Sequence, residues 1–148
     1  MRIFSRREAL LLMAGAGLVL PWAARAQEAV AKLAFSEMYL PGSMAISTRM
    51  QRLEGQRVQV AGYMAPPLKP DAAFFVLTSV PMATCPFCED AGAWPDDIVL
   101  VRTLSVVRAL EFDRRIAVTG TLELGTDIDK ETGFVSLVRL TDAYYART

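Results

Sequence analysis

Two stretches of the chain alternate between apolar and polar residues with a period of two, the spacing typical of a β-strand. In Arg57–Tyr63, Val58 and Val60 point to one side and their polar neighbours point to the other. Arg115–Leu124 repeats this alternation, and both stretches contain the pattern Val/Ile-x-Val-x-Gly. A glycine late in such a strand lets the strand bend across the corner of a barrel. The two stretches therefore predict a mainly β protein with bent strands.

Three further segments complete a set of five predicted strands. Ala72–Val80 is continuously apolar, which predicts a strand buried on both faces. Ile98–Arg102 and Phe134–Leu140 are short strand-like runs, and Leu104–Leu110 is ambiguous but allows a helical turn. Five strands with a helical connection between the third and fourth predict a five-stranded OB-like Greek-key barrel over residues 55–148. A small β-sandwich is the alternative.

The segment 27–54, which precedes the first of these strands, is predicted to be helical. Glu28–Tyr39 is rich in alanine, and the following Pro41-Gly42 would end a helix there. Ser43 is expected to cap a second short helix. The apolar face of that helix has residues at positions i, i+4 and i+7: Ile46, Met50 and Leu53.

Residues 1–26 have the features of a cleaved export signal. A basic start is followed by the apolar run Ala9–Leu20, which is shorter than the roughly 20 residues that span a bilayer. Ala24-Arg25-Ala26 is a small-x-small cleavage site, and Ser5-Arg6-Arg7-Glu8-Ala9-Leu10 resembles the twin-arginine pattern, with Ala9 as its weakest position. An ordinary secretory signal is the alternative. We expect a periplasmic protein without stable membrane insertion after cleavage.

Removal of this signal changes the charge of the protein. The whole chain has 16 basic and 16 acidic side chains, and the signal contains four arginines and one glutamate. The remaining 12 basic and 15 acidic side chains give a net charge of −3. An acidic domain without a basic patch is a poor binder of nucleic acid, so no nucleic-acid partner is expected.

The chain contains no histidine and only two cysteines. This composition excludes a Ser-His-Asp triad, a Cys-His pair, and His-ligated haem or zinc. It also excludes a four-cysteine metal cluster within one chain. No catalytic residue is predicted, and the protein is not expected to be an enzyme unless its two cysteines are redox-active.

Both cysteines lie in the segment Cys85-Pro86-Phe87-Cys88, within the predicted loop 82–97. One interpretation is a structural disulfide, which suits an oxidising compartment. A second is a thioredoxin-type redox motif. The second is disfavoured because no helix is predicted to begin at the motif, and because Glu89 and Asp90 would raise the pKa of a neighbouring thiol.

The third and leading interpretation is a metal site. Cys85 and Cys88 provide two thiolates, which suit Cu(I), and Met82 can add a thioether. Zn²⁺ would need two further ligands, either from nearby carboxylates or from a second copy of the chain. Twin-arginine export carries folded proteins, so a reduced dithiol can be loaded with metal before it meets an oxidant.

Several of these segments together resemble a family of small exported bacterial proteins of uncharacterised function. The resemblance covers about residues 50 to 145 and is carried by Leu53–Leu68, Phe74–Leu77, Pro81–Cys88 and Trp94–Ile98. It implies an OB-like core and an association with ABC transporter components, some of them linked to metal uptake. Many relatives carry Cys-x-His at the loop, where this chain has Cys88 and no histidine.

The resemblance transfers no catalytic residue. We therefore expect an exported accessory protein that handles metal through the dithiol loop and serves an ABC transporter or another envelope protein. The alternative is a non-catalytic interaction module with a structural Cys85–Cys88 disulfide. A thiol–disulfide oxidoreductase is the third possibility.

Overall fold

The computed structural model describes residues 30–83, 96–130 and 132–148. Strands dominate this part of the chain, which confirms the prediction of a mainly β protein. The two helical elements are a 3-10 turn (Phe35–Glu37) and the helix α1 (Thr48–Leu53). The strands are β1 (Ala31–Lys32), β2 (Arg57–Met64), β3 (Phe74–Thr78), β4 (Ile98–Thr103), β5 (Arg115–Ile128) and β6 (Val135–Arg147).

The six described strands form one sheet in the order β1-β2-β3-β4-β6-β5. In addition, β2 pairs with β5, so the pairing of the strands from β2 to β6 returns to its starting strand. The pair β4–β6 is parallel, and the other four pairs of this ring are antiparallel. The short β1 lies outside the ring and pairs with β2 in parallel.

The two Val/Ile-x-Val-x-Gly segments are partners of each other. Val60 lies opposite Val118, Gly62 lies opposite Ile116, and Gly120 lies opposite Val58. A methyl group added at Gly62 would lie 2.5 Å from the carbonyl oxygen of Thr78. The sequence predicted a bend at these glycines, and in the structure Gly62 permits a close approach to the backbone of β3.

The buried apolar residues of the described ranges form two clusters. The larger fills the interior between the strands and contains Val58, Val60, Phe75, Leu77, Val99, Val101, Ile116, Val118 and Leu140. The smaller lies on the other face of β3 and β4 and contains Ala65, Ala72, Phe74, Val76, Ile98 and Leu100. All five residues of β3 are buried, as its continuous apolar run predicted.

The N-terminal segment differs from the prediction. No α-helix occupies the described residues 30–39, which instead include β1 and the 3-10 turn. Lys32 lies opposite Gln59, and the Leu33 amide donates to the Gln59 carbonyl at 2.9 Å. The predicted helix is therefore wrong here, because pairing with β2 satisfies the backbone and buries Leu33. The second helix begins at Thr48, with Ser47 and not Ser43 as its N-cap.

The ends of several strands also differ from the prediction. Residues 104–110 contain no helical turn. The last two strands are longer than expected, because β5 continues to Ile128 and β6 continues to Arg147. Asp142, within β6, has a φ of 47°, which accompanies an irregularity in the pairing with its neighbours.

Among the described residues, none of the helices is long and apolar enough to span a bilayer.

Candidate functional site

The three residues predicted to bind metal are Met82, Cys85 and Cys88, and the structure describes one of them. Met82 is half-buried and lies in the connection that follows β3. Cys85 and Cys88 lie outside the described residues. Within the described ranges, no three His, Cys, Asp or Glu side chains lie close enough together to hold a metal ion. The metal site therefore stays a prediction.

The connection between β3 and β4 is closed at its base by hydrogen bonds. Thr78 and Ile98 are the end pair of the antiparallel ladder. One residue further, the Ser79 amide donates to the Asp97 carbonyl at 3.0 Å, and Ser79 Oγ donates to Asp97 Oδ2 at 3.2 Å. The chain thus leaves the sheet and returns to it at one point, and Met82 follows that point by three residues.

The two aspartates at the end of this connection differ in their surroundings. Asp97 is half-buried, and its side chain already accepts the hydrogen bond from Ser79. Asp96 is exposed to solvent. Asp96 is therefore the more accessible of the two as a carboxylate ligand, whereas recruiting Asp97 would break the contact that closes the base of the connection.

The outer face of β3 and β4 is covered by apolar side chains. Phe74 and Val76 of β3 and Leu100 of β4 are buried in the smaller cluster. Leu68, from the connection between β2 and β3, and Phe134, from the turn before β6, pack against that cluster. This face of the sheet is consequently not an open polar surface in the described part of the chain.

A second candidate site is a groove of about 610 Å³ on the outer face of β2 and β5. Its floor includes Ala61 and Ala117, which are directly opposite each other in the sheet. Residues 32–37 form one wall, with Lys32 at one end of the floor and Arg115 at the other. We call it the Lys32–Arg115 groove.

Sequence reasoning missed this groove because its residues are far apart in the chain. The available signal was the small side chain at the outward positions Ala61 and Ala117 of the two Val/Ile-x-Val-x-Gly segments. Two alanines that face each other leave space on a sheet surface, but their pairing is known only from the register of β2 and β5. Lys32 and Arg115, the basic residues at the two ends of the groove, do not belong to a shared sequence motif.

The fold is similar to that of a DUF3299 family protein from Pseudomonas aeruginosa PAO1, a family named for a domain of unknown function. The two structures superpose with a TM-score of 0.50 at 16% sequence identity, and the match covers 81% of this chain and 97% of the other. At this identity the similarity concerns the fold alone. No family model matches the chain, and no curated protein matches it.

Proposed function

We propose that this protein is an exported, non-enzymatic accessory protein that handles a soft metal ion at the β3–β4 connection. Cys85 and Cys88 are the thiolate ligands of the proposed site, and Met82 is its third ligand. The observation that carries the proposal is the closed base of this connection at Ser79 and Asp97. A fixed base reduces the conformational entropy that a ligand-bearing loop loses when it closes around an ion.

The contact between Asp97 and Ser79 favours Cu(I) over Zn²⁺ as the ion. Zinc requires about four ligands, so this chain would have to add two carboxylates to its two thiolates. One nearby candidate, Asp97, is engaged with Ser79. Cu(I) is satisfied by soft sulfur ligands, and Met82 supplies such a ligand beside the base of the connection. The proposal therefore needs no acidic ligand for copper.

The proposal extends to the architecture around this site. We infer that β2 to β6 form an OB-like Greek-key barrel, because their pairing is cyclic and because β4 and β6 are parallel. OB-folds bind oligonucleotides on the face of their second and third strands, which correspond to β3 and β4. Apolar side chains cover that face here, which supports a partner other than nucleic acid. We propose an ABC transporter component or another envelope protein.

Metal analysis of the protein isolated from the periplasm under anaerobic conditions tests this function. We expect about one Cu(I) per chain, and loss of that copper in Cys85→Ser because a single thiolate is left. Met82→Leu keeps the volume of the side chain and removes the thioether, so it should weaken copper binding about tenfold. Met44→Leu is the control, since Met44 is a methionine outside the core that lies in a different connection.

Two results would contradict the metal proposal. Protein that leaves the periplasm with a complete Cys85–Cys88 disulfide and without metal supports the interaction module with a structural disulfide instead. Equal copper affinity of the Met82→Leu and Met44→Leu variants removes Met82 from the site. Binding of zinc in place of copper, abolished by Asp96→Asn, would retain the metal site and correct the identity of the ion.

A further inference from the structure

The Lys32–Arg115 groove has a positive charge at each end and an apolar middle. Lys32 lies opposite Gln59, and Arg115 lies opposite Tyr63, so the two basic residues are separated by four positions along β2. This is about 13 Å along the strand, and because β1 and β5 lie on opposite sides of β2 the two backbones are about 16 Å apart. Ala61 and Ala117 lie midway between them and present only methyl groups.

The two basic side chains are available to a ligand. Within the described ranges, neither Lys32 nor Arg115 takes part in an ion pair, and both are exposed to solvent. Four of the other described arginines pair with a carboxylate at 4 Å or less, namely Arg49, Arg102, Arg114 and Arg139. Two unpaired cations on one concave surface attract anions and repel other cations.

Among the described lining residues, Glu37 carries a carboxylate side chain, which is already paired, and Thr148 lines the groove beside Arg115, to whose carbonyl its hydroxyl donates at 3.2 Å. Glu37 Oε1 lies 3.2 Å from Arg49 Nε, and Glu37 Oε2 accepts a hydrogen bond from the Ala34 amide at 2.9 Å. Glu37 is therefore a weak competitor for the basic residues at the ends. Phe35 adds an aromatic side chain to the same wall, and Ser79, whose hydroxyl donates to Asp97, also lines the groove.

We propose that the Lys32–Arg115 groove binds a linear organic dianion, with one carboxylate at Lys32, the other at Arg115, and an apolar chain across Ala61 and Ala117. The volume of about 610 Å³ lies within the range of sites for small molecules. Arginine pairs with a carboxylate through two parallel hydrogen bonds, and lysine pairs with it as a point charge. The proposed groove site uses none of the proposed metal ligands, although Ser79 both lines the groove and closes the base of the β3–β4 connection.

Titration of the protein with dicarboxylic acids of graded length tests the proposal. Suberate spans the two basic ends, whereas succinate is too short to reach both at once. Octanoate has the same chain length as suberate but only one charge. Measured by NMR chemical-shift changes at low salt, suberate should bind about 3- to 5-fold more tightly than octanoate or succinate, as expected for one additional exposed ion pair.

Substitutions identify the site that the dianion occupies. Lys32→Gln and Arg115→Gln should each weaken suberate binding about 3- to 5-fold. Octanoate has a single carboxylate, so only one of the two substitutions should weaken its binding. Ala117→Leu fills the floor and should abolish saturable binding, and its melting temperature shows whether it is folded. Lys130→Gln, an exposed lysine outside the groove, is the matched control and should bind like the parent.

Three results would overturn the proposal. The first is an absence of saturable suberate binding by the parent protein. The second is equal affinity for suberate and octanoate, which would mean that the second charge has no partner. The third is an effect of Lys130→Gln as large as that of Lys32→Gln, which would mean that the anion responds to net charge alone.

Discussion

At the scale of single residues, Gly62 shows how closely the strands of this sheet approach each other. The position where its Cβ would stand is 2.5 Å from the carbonyl oxygen of Thr78 and 3.1 Å from the side chain of Leu77. The nearest of these atoms belongs to backbone, which cannot move without disturbing the pairing of β2 with β3. Gly42 is different, because nothing lies within 4 Å of its Cβ position and its constraint is a φ of 72°.

This difference predicts distinct costs for two alanine substitutions. Gly62→Ala should lower the free energy of unfolding by about 3 kcal/mol or more, because the methyl group overlaps backbone. Gly42→Ala should cost only about 1 kcal/mol, the strain of a left-handed conformation. Urea denaturation of both variants measures the difference. Equal costs would show that the strands separate readily at Gly62.

At the scale of elements, the short helix α1 depends on its N-cap. The hydroxyl of Ser47 accepts a hydrogen bond from the Met50 amide at 3.2 Å and donates one to the Glu37 carbonyl at 2.6 Å. Ser47 is buried, and its own amide donates to the Met38 carbonyl at 2.9 Å. One side chain therefore starts the helix and also joins it to the segment that follows β1.

Ser47→Ala is expected to destabilise the protein by about 1–2 kcal/mol, since it removes both a cap and a buried hydrogen bond. The control is Ser43→Ala at the exposed position that the sequence favoured as the cap, and it should change stability by less than about 0.5 kcal/mol. Chemical denaturation measures both values. If Ser43→Ala were the more harmful variant, the helix would begin earlier than residue 48.

The wall of the Lys32–Arg115 groove depends on the same connection between elements. The Arg49 guanidinium of α1 donates to the Lys32 carbonyl at 2.8 Å and pairs with Glu37. Helix α1 thus holds the segment 32–37 in place beside β2. If residues 28–39 formed the helix that the sequence predicted, Lys32 would lie on the surface of that helix and the groove would lack this wall.

At the scale of the whole molecule, a contact between strands that are not neighbours in the sheet lowers the pKa of Asp127. Arg102 of β4 donates to Asp127 of β5 at 2.7 Å, although β6 lies between these strands in the sheet. The hydrogen bond from Arg102 lowers the pKa of Asp127 below its ordinary value, and the charges of Arg102 and Arg139 act in the same direction. Burial opposes this effect only in part.

The lowered pKa predicts a dependence of stability on pH. Because Asp127 has a lower pKa in the folded state than in the unfolded state, its contribution is complete above about pH 4 to 5. The contribution is lost as the pH falls through the lowered pKa of the folded state. Asp127→Asn should therefore melt at a lower temperature than the parent at pH 7, and the difference should vanish in strong acid.

The melting temperature measured against pH tests this sign. Glu111→Gln is the control, because Glu111 pairs with Arg114 within an exposed segment and such pairs contribute little. The Glu111→Gln variant should follow the parent over the whole pH range. A difference between parent and Asp127→Asn that grows as the pH falls would have the wrong sign and would contradict the assigned pairing.

The sequence by itself determined where β2 to β6 lie along the chain and which side chains of β2 and β3 are buried. The alternation at Val58 and Val60 and the continuous run at Phe74–Thr78 are local patterns, and a period of two suits only an extended backbone. Tertiary structure decided the pairing order, the strand at Ala31–Lys32 and the groove beside it, because hydrogen bonds between distant segments have no local signature. The sequence also predicted the dithiol of Cys85 and Cys88, whose ligand depends on redox state and metal supply.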